Sequence, residues 1–235
     1  MSWRHGHSSD IEQGEKIKRP STFVRTIVLT IGFVYSSVLV ASGQGNGSLL
    51  KALTNVLPVL SSVLLVIWDL WVWRWPIVRR LTHRPRIDGL WTGSITPTAK
   101  SLIPNGGNRG PISNYLIIRQ SFWSLHIRQY TAESSSDSKT FLWERIPGTA
   151  VDRLTFLYQN QPRPSELLRS TLHSGCCAFD NQSLTPRLIQ GVYFTNRYTQ
   201  GEMNLSLVDR SYGYGSFDEA DSHVKEIESG KGSEA

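Results

Sequence analysis

The sequence predicts a small antiparallel up-and-down β-barrel of about eight strands, preceded by an N-terminal transmembrane helical hairpin. Three observations carry this reading. Two uncharged apolar stretches, Thr26 to Leu50 and Ala52 to Trp68, lie back to back, each close to the ~20 residues that a helix needs to cross ~30 Å of hydrocarbon. From Ile87 onward, short alternating or aromatic-rich runs are broken by turn residues, with no helical pattern between them. The charge is also divided, residues 1–86 carrying a net +7 and residues 87–235 a net −1 within an overall +6.

Residues 1–21, polar with Gly and Ser and ending near Pro20, read as a flexible cytosolic leader. The hairpin is expected over 22–75, with spans at about 22–42 and 49–73 joined by the turn Gly43-Gln44-Gly45-Asn46-Gly47-Ser48. Arg4, Lys16, Lys18, Arg19 and Arg25 precede the first span, and Arg74, Arg79, Arg80, Arg84 and Arg86 follow the second. The positive-inside rule therefore places both termini and the β-domain in the cytoplasm. A cleaved signal peptide is disfavoured, because the first apolar segment lacks an Ala-x-Ala-like site and a second follows at once. Trp68, Trp71, Trp73 and Trp75 form an aromatic belt at the cytosolic end. Asp69 among them reads either as a headgroup-level carboxylate pairing locally or as a contact between hairpins.

The strands are expected at Ile87 to Ile95, Asn114 to Gln120, Phe122 to Ala132, Lys139 to Ile146, Arg153 to Gln159, Leu167 to Asp180, Arg187 to Tyr198 and Glu202 to Asp209, in a β-domain spanning 87–210. Pro104-Asn105-Gly106-Gly107, Ser134-Ser135-Ser136-Asp137, Pro147-Gly148 and Gln161-Pro162-Arg163-Pro164 supply the turns. Short connections favour a meander, and closing it removes the exposed edges. Residues 211–235, rich in Gly, Ser and acids, read as a disordered tail.

The chemistry points to binding and away from catalysis. His126 and His173 are isolated, and neither a His-x-x-x-His pair, a Gly-x-Ser-x-Gly elbow nor a phosphate-cradling glycine loop occurs, so no catalytic residue and no enzymatic activity are assigned. Cys176 and Cys177 are adjacent and point to opposite faces of a strand, which argues against a disulfide, and no metal-ligand spacing accompanies them. The nearly neutral β-domain does not suit long nucleic acid. In the seventh strand, alternation puts Tyr193, Thr195 and Arg197 on one face and Val192, Phe194 and Tyr198 on the other. A ring, a hydroxyl and a guanidinium in a row suit the base, sugar and phosphate of a nucleotide. An outer, solvated strand face is the competing reading of the same pattern. Tyr158 and Asn160 at the end of the fifth strand can converge with this face, and Trp91 and Trp143 rank below them, since Trp in a small barrel usually serves the core. Two other functions remain open on these residues: a tethered lipocalin-like carrier of a lipid or other apolar ligand, and a structural membrane protein presenting a β interaction domain.

The order of several motifs after two apolar spans adds a resemblance. These are Asp88-Gly89-Leu90-Trp91-Thr92-Gly93, Tyr158-Gln159-Asn160-Gln161-Pro162, His173-Ser174-Gly175 and the run from Gly191-Val192-Tyr193-Phe194 through Thr195-Asn196-Arg197-Tyr198 to Thr199-Gln200-Gly201. Over residues 22 to about 210 the chain resembles the two-transmembrane, β-strand-rich effectors of bacterial CBASS antiphage defence, the CD-NTase-associated protein 15 family. The resemblance implies a receptor in the bacterial inner membrane with no cofactor and a cyclic dinucleotide, made by a neighbouring synthase, as its activating ligand. It further implies that binding promotes self-association in the lipid bilayer, membrane disruption and cell death. Tyr193, Thr195 and Arg197, with Tyr158 and Asn160 beside them, then become the expected second-messenger site.

Overall fold

A computed structural model describes residues 20–41, 49–103, 107–168 and 170–232. The expected leader up to residue 19 and the Gly43 to Ser48 turn lie outside the described residues. The chain divides into two compact units, residues 1–68 and 69–235.

The first unit holds α1 (Pro20–Ala41) and most of α2 (Leu49–Leu70). Ser62 Oγ donates to the Val28 carbonyl at 3.1 Å, a hydrogen bond between the two helices. Phe33, Val34, Val38, Leu57 and Leu64 are all exposed. Among the described residues no single helix is long and apolar enough to cross a membrane, and the segments Val59–Arg74 and Pro76–Thr82 are so only jointly, with a bend of 99° between them. Pro76 accounts for the bend. The residue before a proline is pushed out of the helical region, and Trp75 sits extended at φ −66° and ψ 141° before α3 (Pro76–Thr82) begins.

The second unit is a closed antiparallel barrel in simple sequence order, the meander expected from the alternation. Its strands are β1 (Gly89–Pro97), β2 (Ile112–Gln120), β3 (Leu125–Tyr130), β4 (Ser134–Arg145), β5 (Asp152–Pro162), β6 (His173–Asn181), β7 (Leu188–Thr195) and β8 (Gln200–Asp209). β8 pairs back onto β1, with Gly93 opposite Leu205, so no strand edge is left to recruit another chain. Along β5 the inward side chains run Leu154, Phe156, Tyr158 and Asn160, all buried. The interior thus grades from apolar to polar, and Phe179, Cys177, Gly175 and His173 repeat the gradient along β6. Trp91, Leu116, Ile118, Ile127, Leu154, Phe179 and Leu205 fill the apolar end.

Three expectations are corrected. The fourth strand starts at Ser134, not Lys139, so the serine run forms wall rather than turn. A bulge between Ser138 and Thr140 adds one residue there, which lets Ser136 and Phe141 both face inward despite their odd spacing. The sixth strand starts at His173, not Leu167, because the chain after the 3-10 turn of Pro164–Glu166 keeps turning, with the Ser170 N–H on the Glu166 carbonyl at 2.8 Å. The tail expected to be disordered instead folds as α4 (Phe217–Gly232). Phe217, Ala220 and Val224 recur at helical spacing and meet Leu90, Tyr115, Ile117 and Tyr130 on the barrel's outer face. Four of the six buried residues of that second core belong to the strands, which is why so few apolar residues in the tail suffice.

The segment from Asp69 to Asp88 is sewn onto the apolar end of the barrel. Asp69 is buried, its carboxylate accepting the Trp123 N–H at 3.0 Å and its carbonyl the Phe122 N–H at 3.1 Å. Gln120 accepts the Ile87 N–H and donates to the Pro85 carbonyl, both at 2.8 Å. Asp69 therefore holds the β2–β3 turn.

Candidate ligand-binding site

At the polar end of the barrel lies a cavity of about 490 Å³, within the range of small-molecule sites. It sits where the β1–β2, β3–β4, β5–β6 and β7–β8 connections gather, at the pole opposite the Asp69 to Asp88 segment. Tyr158, Asn160, Tyr193, Thr195 and Arg197 all line it, five residues drawn together from β5, β7 and the β7–β8 turn. Val192 and Phe194 are exposed on the outside, so β7 takes the register with Tyr193 and Thr195 inward.

Trp91 and Trp143 do not join them. Trp91 is fully buried near the other pole, its Nε1 donating to the Ile87 carbonyl at 2.9 Å. Trp143 packs against the same core under the Arg84 guanidinium, 5.0 Å from its ring centre. Both are placed by the early residues of β1 and the late residues of β4, which parity alone does not reveal. Of the Asp88 to Gly93 motif, then, Trp91 is core and Gly89 has a backbone role. At φ +132° Gly89 adopts a conformation that side-chain-bearing residues rarely take, and a Cβ there would overlap the Asp209 carbonyl.

Thr195 has a different task from the one its position in the strand suggests. Its hydroxyl oxygen accepts the N–H groups of Arg197 and Thr199, both at 3.2 Å, which occupies two lone pairs. Its proton therefore goes to Thr199 Oγ1 at 2.7 Å, and the Thr199 hydroxyl is left to donate elsewhere in the cavity it lines. Thr195 is thus a positioning residue that shapes the turn, and Arg197 arrives by that turn, not by strand alternation. Arg197 Nη1 donates to Ser170 Oγ at 2.7 Å, joining the β7–β8 turn to the β5–β6 loop.

The floor is polar and oriented. Ser136 Oγ donates to Asn160 Oδ1 at 2.8 Å, which leaves the Asn160 amide N–H groups available to the cavity, since His173 Nδ1, 3.5 Å away, is itself a donor. His173 Nδ1 lies 3.0 Å from the Thr171 carbonyl, and a carbonyl only accepts, so Nδ1 carries the proton and Nε2 a lone pair. Burial pushes the phenols of Tyr158 and Tyr193 up, the latter to about 12, so both stay neutral donors. Gly175 makes room for Tyr158, since a Cβ there would overlap the phenol. Sequence reasoning missed Ser136, Ser170 and Thr199. Ser136 was hidden in a serine run that reads as a loop, and Ser170 and Thr199 are placed by loops. Among the described residues no cluster of metal-ligating side chains occurs.

Burial, outweighing the Thr171 carbonyl, and with Arg197 adding to it, lowers the pKa of His173 below its ordinary value of 6.5. The unfolded chain then binds the extra proton first, so stability is complete above that value and falls as pH drops through the folded pKa. The unfolding temperature of the full chain is expected to fall more between about pH 7.5 and pH 5.5 than that of His173→Gln. Parallel pH profiles would contradict it.

Residues 82–206, more than half of the chain, match the family described as Cap15, cyclic dinucleotide receptor domain. The chain belongs to the Cap15 family. No curated protein matches it otherwise. The matched segment contains the whole barrel up to the middle of β8 and every cavity-lining residue named above. The chain is accordingly a CBASS protein with a cyclic dinucleotide receptor domain.

Proposed function

We propose that this Cap15 protein is a membrane-anchored receptor and effector of antiphage defence whose ligand, a cyclic dinucleotide from a neighbouring synthase, sits in the polar cavity of the barrel. The observation that carries the reading is the convergence of Arg197, Asn160, Thr199 and two buried tyrosines on one 490 Å³ cavity inside the matched receptor domain. Arg197 faces a phosphate, the amide of Asn160 and the hydroxyl of Thr199 donate to base or sugar, and Tyr158 and Tyr193 form a neutral floor. A lipid carrier would call for an apolar cavity, whereas this one sets Ser134, Ser136, Asn160, His173 and Arg197 among Ile95, Ile112 and Met203.

Residues 22–75 act as the anchor in the bacterial inner membrane, with both termini and the barrel in the cytoplasm. The uncharged stretches, the exposed apolar side chains of α1 and α2 and the flanking arginines support this. Ligand binding favours self-association of the anchors, and the assembled anchors disrupt the bilayer. Such a shift requires the ligand to bind the associated state more tightly than the dispersed one.

The detergent-solubilised full chain is expected to gain several degrees in unfolding temperature with one member of a cyclic dinucleotide panel, because binding to the native state raises its stability. Stabilisation by fatty acids but by no cyclic dinucleotide would replace the receptor reading with the carrier. In cells supplied with the ligand, dye entry through the inner membrane is expected only when residues 22–68 are present, Asp69 onward being kept because it holds the β2–β3 turn. Equal killing by a chain lacking them would remove the membrane from the mechanism.

A further inference from the structure

The cavity has one wall that the matched receptor domain does not supply. Phe217, the first residue of α4, lies beyond residue 206 yet lines the cavity beside Ile112, Thr131 and Ser134. It is half-buried, one side resting on Tyr115 with ring centres 5.2 Å apart. It also borders a second hollow of about 310 Å³, so the ring is not enclosed on every side.

The helix that carries this ring is tied down by polar bonds around it. Tyr115 Oη donates to Asp221 Oδ1 at 2.8 Å, Tyr130 Oη to the Gly215 carbonyl at 2.6 Å, and His223 Nε2 lies 2.6 Å from Asp209 Oδ2. Glu219 turns back to accept the Gly215 N–H at 2.7 Å, and Ser216 Oγ accepts the Glu219 N–H at 3.2 Å, a reciprocal cap that fixes the start of the helix. A ring held this firmly loses little entropy when something stacks on it.

Charge decides which part of a ligand belongs there. Glu133 lines the cavity together with Thr131 and Ser134, which border both hollows as Phe217 does, whereas Arg163, 3.9 Å from the exposed Asp218, lines the second hollow and not the cavity. A phosphate is repelled from this side and drawn to Arg197, which reaches the cavity from the β7–β8 turn, whereas an uncharged base is not repelled. A flat aromatic face with acidic neighbours is suited to a nucleobase.

We propose that Phe217 is a stacking platform for one base of the bound cyclic dinucleotide, so that α4 is part of the receptor and is pinned by the ligand. This rests on the receptor reading above and deepens it. It assigns an orientation, with a phosphate at Arg197 and a base at Phe217.

The test is isothermal titration of the detergent-solubilised full chain with the cyclic dinucleotide that stabilises the wild type. Phe217→Leu, which keeps apolar contact with Tyr115 but has no ring face, is expected to lose affinity about tenfold or more, the measured worth of one base stack. Phe217→Trp is expected to retain or exceed wild-type affinity. Unchanged binding by Phe217→Leu, or equal losses in both variants that track a fall in unfolding temperature, would overturn the proposal while leaving the receptor intact. Failure of the wild type to bind any cyclic dinucleotide would overturn the receptor reading and this proposal together. Hydrogen exchange on the wild type gives a check that needs no variant. Amides of α4 are expected to exchange more slowly with ligand, and exchange unaltered there while the barrel is protected would overturn the proposal.

Discussion

Arg197→Ala is expected to weaken cyclic-dinucleotide binding by about one to two orders of magnitude while leaving the barrel folded. A hydrogen bond to a charged partner contributes roughly 1.5–3 kcal/mol, and each ~1.4 kcal/mol is tenfold in affinity. The side chain is partly exposed on a turn, and among the described residues its hydrogen bond goes from Nη1 to Ser170 Oγ at 2.7 Å. That bond is worth about 1 kcal/mol to the fold, so the loss falls on the ligand. The Ser170 contact also holds the guanidinium in place before the ligand arrives, which lowers the entropy lost on binding. Arg197→Lys keeps the charge but not the planar fork, and should fall between the wild type and the alanine variant. Isothermal titration of the full chain decides this, and wild-type affinity in Arg197→Ala would take Arg197 out of the site.

The strand pattern was legible because a barrel with a filled interior enforces strict alternation, as β5 shows with Leu154, Phe156, Tyr158 and Asn160 inward. Which face of β7 points inward was not legible, since Tyr193 and Phe194 are equally suited to burial. The closure that puts Tyr193 across from Gly201 settles it. Arg197 lines the same cavity as Tyr193 and Thr195, but strand alternation is not what brings it there. Alternation ends at Thr195, and the turn bonds of the Thr195 hydroxyl deliver the guanidinium. Ser136 escaped notice because serine has weak strand preference, although small polar side chains are what leave a barrel hollow at one end. Trp91 and Trp143 look like ligand platforms in sequence, but they occupy the pole where the interior is closed.

The tail and Asp69 show a different limit. α4 buries only a few apolar groups of its own, and its stability comes from Leu90, Tyr115 and Ile117, whose outward side chains sit more than 90 residues away in sequence. Asp69 likewise finds its partners in the Phe122 and Trp123 amides. No local pattern announces either contact, because both depend on where a distant turn or strand comes to lie.

Asp88→Asn is expected to be among the most destabilising single substitutions in the barrel, by about 3 kcal/mol, because it leaves a set of guanidinium groups without their counter-charge. The carboxylate is almost wholly buried, and Arg86 binds it with Nε at 2.7 Å and Nη2 at 3.3 Å. Arg74 and Arg210 approach it at 3.6 and 3.9 Å, and Arg210 Nη1 also donates to the Asp88 carbonyl at 2.6 Å. The three arginine side chains are each about a quarter exposed, so water screens part of their repulsion and the lower end of the range for a broken buried pair applies. Burial, with Asp88 opposing it, already lowers the pKa of Arg210 from its usual value, and Arg86 and Arg79 nearby lower it further. The exposed pair between Arg153 and Asp180 makes the instructive contrast, with two bonds at 2.7 and 2.9 Å across neighbouring strands. Despite that better geometry, Asp180→Asn is expected to leave the unfolding temperature nearly unchanged, because solvent replaces what is lost. Thermal unfolding of the two variants tests the ordering directly. If repulsion among the arginines is the cause, Arg86→Met should restore part of the stability lost in Asp88→Asn. A double variant no more stable than Asp88→Asn would place the cost in packing at the start of β1.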